Sequence, residues 1–245
     1  MHMPDLNGID TILFDLDGTL LNVDMHQFIP AYLGGLAECL PTDVDPSGFV
    51  RNMLKRTMER IEQGSDGSQT NEDFYLQAAK EDMGIEAEHF RSGLECFYAE
   101  TLPHLEQYIQ PLPLAPEIIT RCIDKQLRII IATNPVFPLP VTEARLKWGR
   151  IDHFEYLHVS SYETSRHCKP NLAYFSELLD SFDLAPQQCL MVGNDTEHDL
   201  SATHLGIKTF LVDTWVIDRG GAITPDFRGN HLDLYRFLGH IPRIK

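Results

Sequence analysis

The chain has 245 residues, 43% of them hydrophobic and 23% charged, an ordinary globular composition with enough apolar mass for a sizeable core. Its net charge of −16 excludes a broad basic face, and with it a nucleic-acid or anionic-membrane surface. Five scattered cysteines with no CxxC pair predict reduced thiols, and no apolar run approaches the ~20 residues of a membrane span.

The opening MHMPDLNGID has neither the basic nor the apolar region of a secretory leader, which together with the thiols predicts a cytoplasmic protein. A short apolar run, Ile12-Leu13-Phe14, then leads into Asp15-Leu16-Asp17-Gly18-Thr19. That pattern predicts a buried strand ending in a turn. If the pleat continues, Asp15 and Asp17 point the same way. Adjacent carboxylates are costly unless a cation holds them or they share a proton, so the pair marks a site.

From Met25 to Ile109 the periodicity is helical. Phe28, Ile29, Tyr32, Leu33, Leu36 and Leu40 give one amphipathic helix, closed by Pro41. Phe49, Met53, Leu54 and Ile61 give a second, ended by Gly64. Thr70 caps a third, with Asp73 placed to complete a capping box. A fourth runs from Phe90 to Leu105, with a kink or restart at Pro103. Leu21–Asp24 and the proline-rich Pro111–Pro116 read as the two linkers of an insertion.

Beyond Pro116 helix and strand alternate. Strands are expected at 127–133, 156–161, 189–192 and 208–212; helices at 116–126, 141–148, 171–179, 199–205 and 232–238. Near-continuous apolar strands in such an alternation imply a parallel sheet covered on both faces. Three junctions carry polar chemistry: Thr133-Asn134, Lys169-Pro170, and Gly193-Asn194-Asp195 followed by Asp199. A lysine at a helix mouth is electrostatically misplaced unless it shares an anion with the helix terminus.

DLDGT resembles the DxDGT signature of the haloacid dehalogenase superfamily, and the other three junctions resemble its later motifs in order. A glycine usual upstream of the lysine is replaced here by Ser165, Arg166 and His167. The resemblance implies a doubly wound parallel α/β sheet, Rossmann-like, of order 3-2-1-4-5, with an α-helical cap inserted after the first strand. Residues 1–21 and 112–245 would form the core and residues 22–111 the cap.

It further implies a Mg²⁺-dependent phosphatase acting on a small phosphorylated metabolite. Asp15 would be the nucleophile and Asp17 the acid and base; Thr133, Asn134 and Lys169 would bind phosphate. Asp15, Asp17 and Asp195 would hold Mg²⁺, with Asn194 and Asp199 outside them. The Gly-Asn-Asp order departs from the usual Gly-Asp, which leaves open whether Asn194 or Asp195 faces the metal; the charged Asp195 is expected to matter more. A second Asp at position 17 counts against a dehalogenase or phosphonatase. A phosphomutase retains all four motifs, and a non-catalytic phosphate-binding protein could use the same fold. Asp24, His26 and Tyr32 are candidate selectors of substrate.

Overall fold

The computed structural model describes residues 6–41 and 44–244, so the reading of the first five residues lies outside the described residues. The strands, in chain order, are β1 (Thr11–Phe14), β2 (Leu21–Val23), β3 (Ile109–Pro111), β4 (Arg128–Ile131), β5 (His158–Val159), β6 (Cys189–Gly193), β7 (Lys208–Val212) and β8 (Phe227–Gly229). The first four helices are α1 (Met25–Glu38), α2 (Pro46–Gln63), α3 (Asn71–Met83) and α4 (Ala87–Glu100). The rest are α5 (Ala115–Asp124), α6 (Leu139–Trp148), α7 (Leu172–Ser181) and α8 (His231–His240).

Six strands form one parallel sheet of order β5-β4-β1-β6-β7-β8. This is the doubly wound α/β fold with the expected central order, extended by β8 at one edge. The strands are apolar because both faces are covered. Ile12, Phe14, Ile129, Ile131, Leu190 and Val192 face one core with α5, α8 and the inserted helices. Leu13, Ile130 and Met191 alternate onto the other, under Tyr174, Phe175 and Leu178 of α7.

Several local expectations are corrected. The first expected linker pairs as an antiparallel ribbon with Ile109–Pro111, Leu21 with Pro111 and Val23 with Ile109. Of the second, only Pro111 lies in that ribbon, and Ala115 and Pro116 open α5. The fourth helix stops at Glu100, and Leu102–Tyr108 continues as a 3-10 turn with Pro103 in its first turn. Residues 200–205 are likewise a 3-10 turn, not an α-helix. Cys39 and Cys96 form a disulfide between the end of α1 and α4, with Cα atoms 5.8 Å apart, so the chain is not a set of reduced thiols; Cys122, Cys168 and Cys189 are free and buried. No helix among the described residues is long and apolar enough to cross a membrane.

The helical segment is docked on the sheet. Phe137, from the loop after β4, packs edge-on against Phe28 and Tyr32 of α1, with ring centroids 5.8 and 5.1 Å apart. Thr70 and Asp73 make the reciprocal capping box at the start of α3. The first two amides of that helix are donated across to the sheet's loops: Asn71 N to Ser165 O (2.9 Å) and Glu72 N to Tyr162 O (2.8 Å).

Candidate active site

Strand register sets the site. Phe14 lies level with Ile131 and Val192, so Asp15, Thr133 and Asn194 all leave the same carboxyl edge of the sheet. Ligands bind at this edge of open α/β sheets, where strand order reverses. Asp15 remains tied to the sheet through its amide, which donates to Val192 O (2.9 Å). The chain then turns: Gly18 adopts φ +85°, and a Cβ there would meet Asn194 Nδ2 at 2.1 Å. Only glycine meets both demands.

Asp15 is nearly buried and both its oxygens are engaged. Oδ1 accepts from Lys169 Nζ at 2.8 Å and Oδ2 from Thr19 Oγ1 at 3.2 Å. The same ammonium donates to Asp199 Oδ1 at 2.6 Å. Burial works against a charged Lys169, but the flanking carboxylates of Asp15 and Asp199 outweigh it and raise its pKa. Burial, reinforced by Asp15, shifts the Asp199 carboxyl upward against the pull of Lys169.

Lys169 does not open a helix, contrary to the sequence expectation. Asn171 caps α7, which starts at Leu172, and Lys169 lies in the preceding turn. Asn134 grips that turn: its Oδ1 accepts from Lys169 N (3.0 Å) and its Nδ2 donates to Lys169 O (3.2 Å). Those contacts orient Asn134 toward the lysine backbone. Thr133 is buried at the end of the β4 run, and its carbonyl accepts from Tyr174 Oη at 3.2 Å.

Asp17 has a partner that the sequence did not suggest. Arg145 of α6, with no exposed surface, donates from Nη1 to Asp17 Oδ2 at 2.5 Å and from Nη2 to Thr142 Oγ1 at 3.0 Å. Its guanidinium also lies 4.6 Å from the Phe137 ring centroid. Asp17 Oδ1 is buried with no hydrogen-bond partner among the described residues. Burial raises the Asp17 pKa; Arg145 opposes this and Asp15 adds to it. A carboxyl held this way is suited to give and take a proton.

The two residues after Gly193 face different surroundings. Asn194 Nδ2 donates to Trp215 O at 2.7 Å, and its Oδ1 lies 3.4 Å from the Thr19 hydroxyl, beside Gly18. Asp195 turns away. Its Oδ1 accepts from the amides of Glu197 and His198 (3.0 and 2.9 Å), and its Oδ2 from Arg219 Nε (2.7 Å). Although burial acts against it, these donors hold the Asp195 pKa below the usual carboxylate value. Both oxygens of Asp195 are thus engaged by the turn that follows and by Arg219, while Asn194 approaches Thr19 and lines the same cavity as Asp17 and Gly18. All the ligand atoms offered here are oxygens, the ligand class of a hard divalent cation, and Asp17 Oδ1 is buried with no hydrogen-bond partner among the described residues.

Above Asp17, Gly18 and Asn194 lies a cavity of about 700 Å³, bounded by the β2–β3 ribbon, the start of α1 and the Trp215–Ile217 loop. Asp24 and His26 line it, whereas Tyr32 lines a separate apolar cavity of about 160 Å³. Sequence reasoning missed Arg145, Trp215 and the ribbon amides, which lack motif spacing and meet only through the fold.

A family model for haloacid dehalogenase-like hydrolases matches residues 9–204. A protein named pyrophosphatase PpaX from Anoxybacillus flavithermus is 26% identical over 240 residues, covering 95% of this chain and 98% of its own. A solved structure described as a predicted phosphoglycolate phosphatase from Haemophilus somnus aligns with TM-score 0.57 and 20% identity over 94% of this chain and 98% of that one. CbbY from Rhodobacter sphaeroides, solved with phosphate, aligns with TM-score 0.55 and 18% identity over 92% and 96% of the two chains.

Proposed function

The chain belongs to the haloacid dehalogenase-like hydrolases and is a phosphatase-type enzyme; from that premise we propose that it hydrolyses a small phosphomonoester through a phosphorylated Asp15. The observation that carries this reading is the buried Asp15–Lys169–Asp199 array beside the Arg145-paired Asp17. Asp15 accepts there from the Lys169 ammonium, while burial raises the proton affinity of Asp17.

In the first step an Asp15 oxygen attacks phosphorus, the bond to the leaving oxygen breaks, and Asp17 gives that oxygen its proton. In the second, Asp17 takes a proton from water as that water attacks the aspartyl phosphate, and Asp15 is released. Lys169 and Thr133 bear on the phosphoryl oxygens, and Thr19 orients Asp15. Asn134 acts through its clasp on the Lys169 backbone. Asp199 positions the ammonium.

A divalent cation, Mg²⁺ in our reading, suits the Asp15 carboxylate, the Asp17 carbonyl and the Asn194 amide oxygen. When bound it supplies charge that offsets repulsion between the anionic nucleophile and phosphate. We further propose that residues 22–111 act as a cap over a core of residues 1–21 and 112–245, with the β2–β3 ribbon as its neck. The pyrophosphatase name of the aligned relative favours a second reading, cleavage of inorganic pyrophosphate by the same residues.

The test is phosphate release from p-nitrophenyl phosphate with Mg²⁺ and with a chelator, for wild type and Asp15→Asn. Activity should need the metal and fall at least about a thousandfold in the variant. A variant retaining more than about a tenth of the wild-type rate would remove Asp15 from this role.

A further inference from the structure

The walls of the two cavities at the sheet edge restrict what the phosphate can be attached to. In the larger, which touches Asp17, the walls carry, besides Asn194, four carboxamides, Asn22, Gln27, Gln107 and Gln110, with Tyr108 and Trp215. Among the described residues no lysine or arginine lines it; its histidine is His26 and its carboxylates are Asp17 and Asp24. The smaller cavity, between the inserted helices and the loop after β4, is lined by apolar and aromatic side chains and Thr57, again with no lysine or arginine among the described residues.

Cations near the site are already committed. Lys169 lies between Asp15 and Asp199, Arg145 is paired with Asp17, and Arg219 with Asp195. The surrounding chain carries a net −16, so its field adds to the repulsion of any second anionic group. A substrate whose leaving group is itself a phosphate or carboxylate would meet no lysine or arginine of the described residues in either cavity, with His26 as the basic side chain on the larger wall.

The larger cavity's chemistry instead fits hydroxyl groups. Each carboxamide offers both a donor and an acceptor. The Asn22 Nδ2 to Gln110 Oε1 bond (3.1 Å) uses one half of each side chain, and Gln27 spends its amide on Asp24 (2.6 Å) while keeping its carbonyl oxygen. Trp215, half-buried and steadied 5.1 Å from the His231 ring, adds a flat apolar surface. Paired donors and acceptors around an aromatic face suit a polyhydroxylated ring, hydroxyls to the amides and C–H face to the indole.

We propose that the substrate is a phosphomonoester with an uncharged, hydroxyl-bearing, carbohydrate-like leaving group, and not inorganic pyrophosphate or a substrate with a second anionic group. This assignment rests on the phosphatase reading above. It runs against the pyrophosphatase name of the aligned relative.

The test compares kcat/KM for glucose 6-phosphate and ribose 5-phosphate with that for inorganic pyrophosphate and 2-phosphoglycolate, at fixed free Mg²⁺, with p-nitrophenyl phosphate as reference. The better sugar phosphate should exceed both anionic substrates by at least about tenfold. Sugar phosphates no better than either anionic substrate, while p-nitrophenyl phosphate is hydrolysed, would overturn the substrate class and leave the phosphatase reading intact. No release from any of the five would end both. Gln110→Lys, an exposed change that adds a cation to the wall, should shift the pyrophosphate-to-sugar-phosphate ratio about tenfold toward pyrophosphate. An unchanged ratio would mean that this wall does not meet the leaving group, and would also overturn the proposal.

Discussion

At the scale of single residues, the Gly193-Asn194-Asp195 run shows how neighbouring side chains divide their work. Asp195 has the charge, yet two amides and Arg219 consume both its oxygens. Asn194 has no charge but sits against Gly18 and Thr19. A neutral ligand attracts a divalent cation less than a carboxylate does. Asn194→Ala should therefore raise the Mg²⁺ concentration for half-maximal activity at least about tenfold, and Asn194→Asp should lower it. Asp195→Asn should shift it less, because Asp195 works through the turn. Mg²⁺ titrations of the three variants check the ordering, and a larger shift in Asp195→Asn would reverse the assignment. The motif was readable as a motif, but which side chain faces the site depends on the path of the chain after β6. Arg145 was not readable at all. In VTEARLKW it looks like any helical arginine, and its partner Asp17 lies 128 positions away.

Among elements, the attachment of the inserted helices to the sheet rests on the start of α3. Asn71 is fully buried; its Oδ1 accepts from Arg60 Nε at 2.7 Å and its Nδ2 donates to Pro135 O at 3.0 Å. Arg60 in turn donates to Arg166 O at 3.0 Å. Replacing Asn71 by Ala leaves a guanidinium without its buried acceptor, and loss of such a partner costs on the order of 1–3 kcal/mol. Asn71→Ala should lower stability by that amount in urea unfolding and speed amide exchange at Asn71 and Glu72. Unchanged exchange there would show that the helices are held elsewhere, at Phe137 for example. The helices themselves were legible from their apolar spacing and from the Thr70–Asp73 box. The ribbon was not, because three-residue strands such as Leu21–Val23 carry no periodicity of their own. The disulfide was equally hidden: its cysteines are 57 residues apart and meet only when α1 packs on α4.

Across the whole molecule, the order of the central strands followed from the alternation of helix and apolar strand together with the family's topology. Burial on both faces explains why those strands could be read so directly. What stayed out of reach, β8 and the cavity walls apart from Asp24 and His26, is surface structure in which composition does not dictate position. The charge of −16 gives that surface a consistent sense: in the proposed reading a phosphate would enter against the general field and meet its cation at the sheet edge, where Lys169 is buried. The central claim is that Asp15 becomes phosphorylated during turnover. It is tested most directly by acid-quenching the enzyme within the first turnovers of p-nitrophenyl phosphate and locating the phosphoryl group by peptide mass spectrometry. The account predicts a transient phosphoryl group on Asp15, absent from Asp15→Asn and longer-lived in Asp17→Asn, where the base for the attacking water is gone. Phosphate release at the wild-type rate with the phosphoryl group on another residue, or from Asp15→Asn itself, would contradict it.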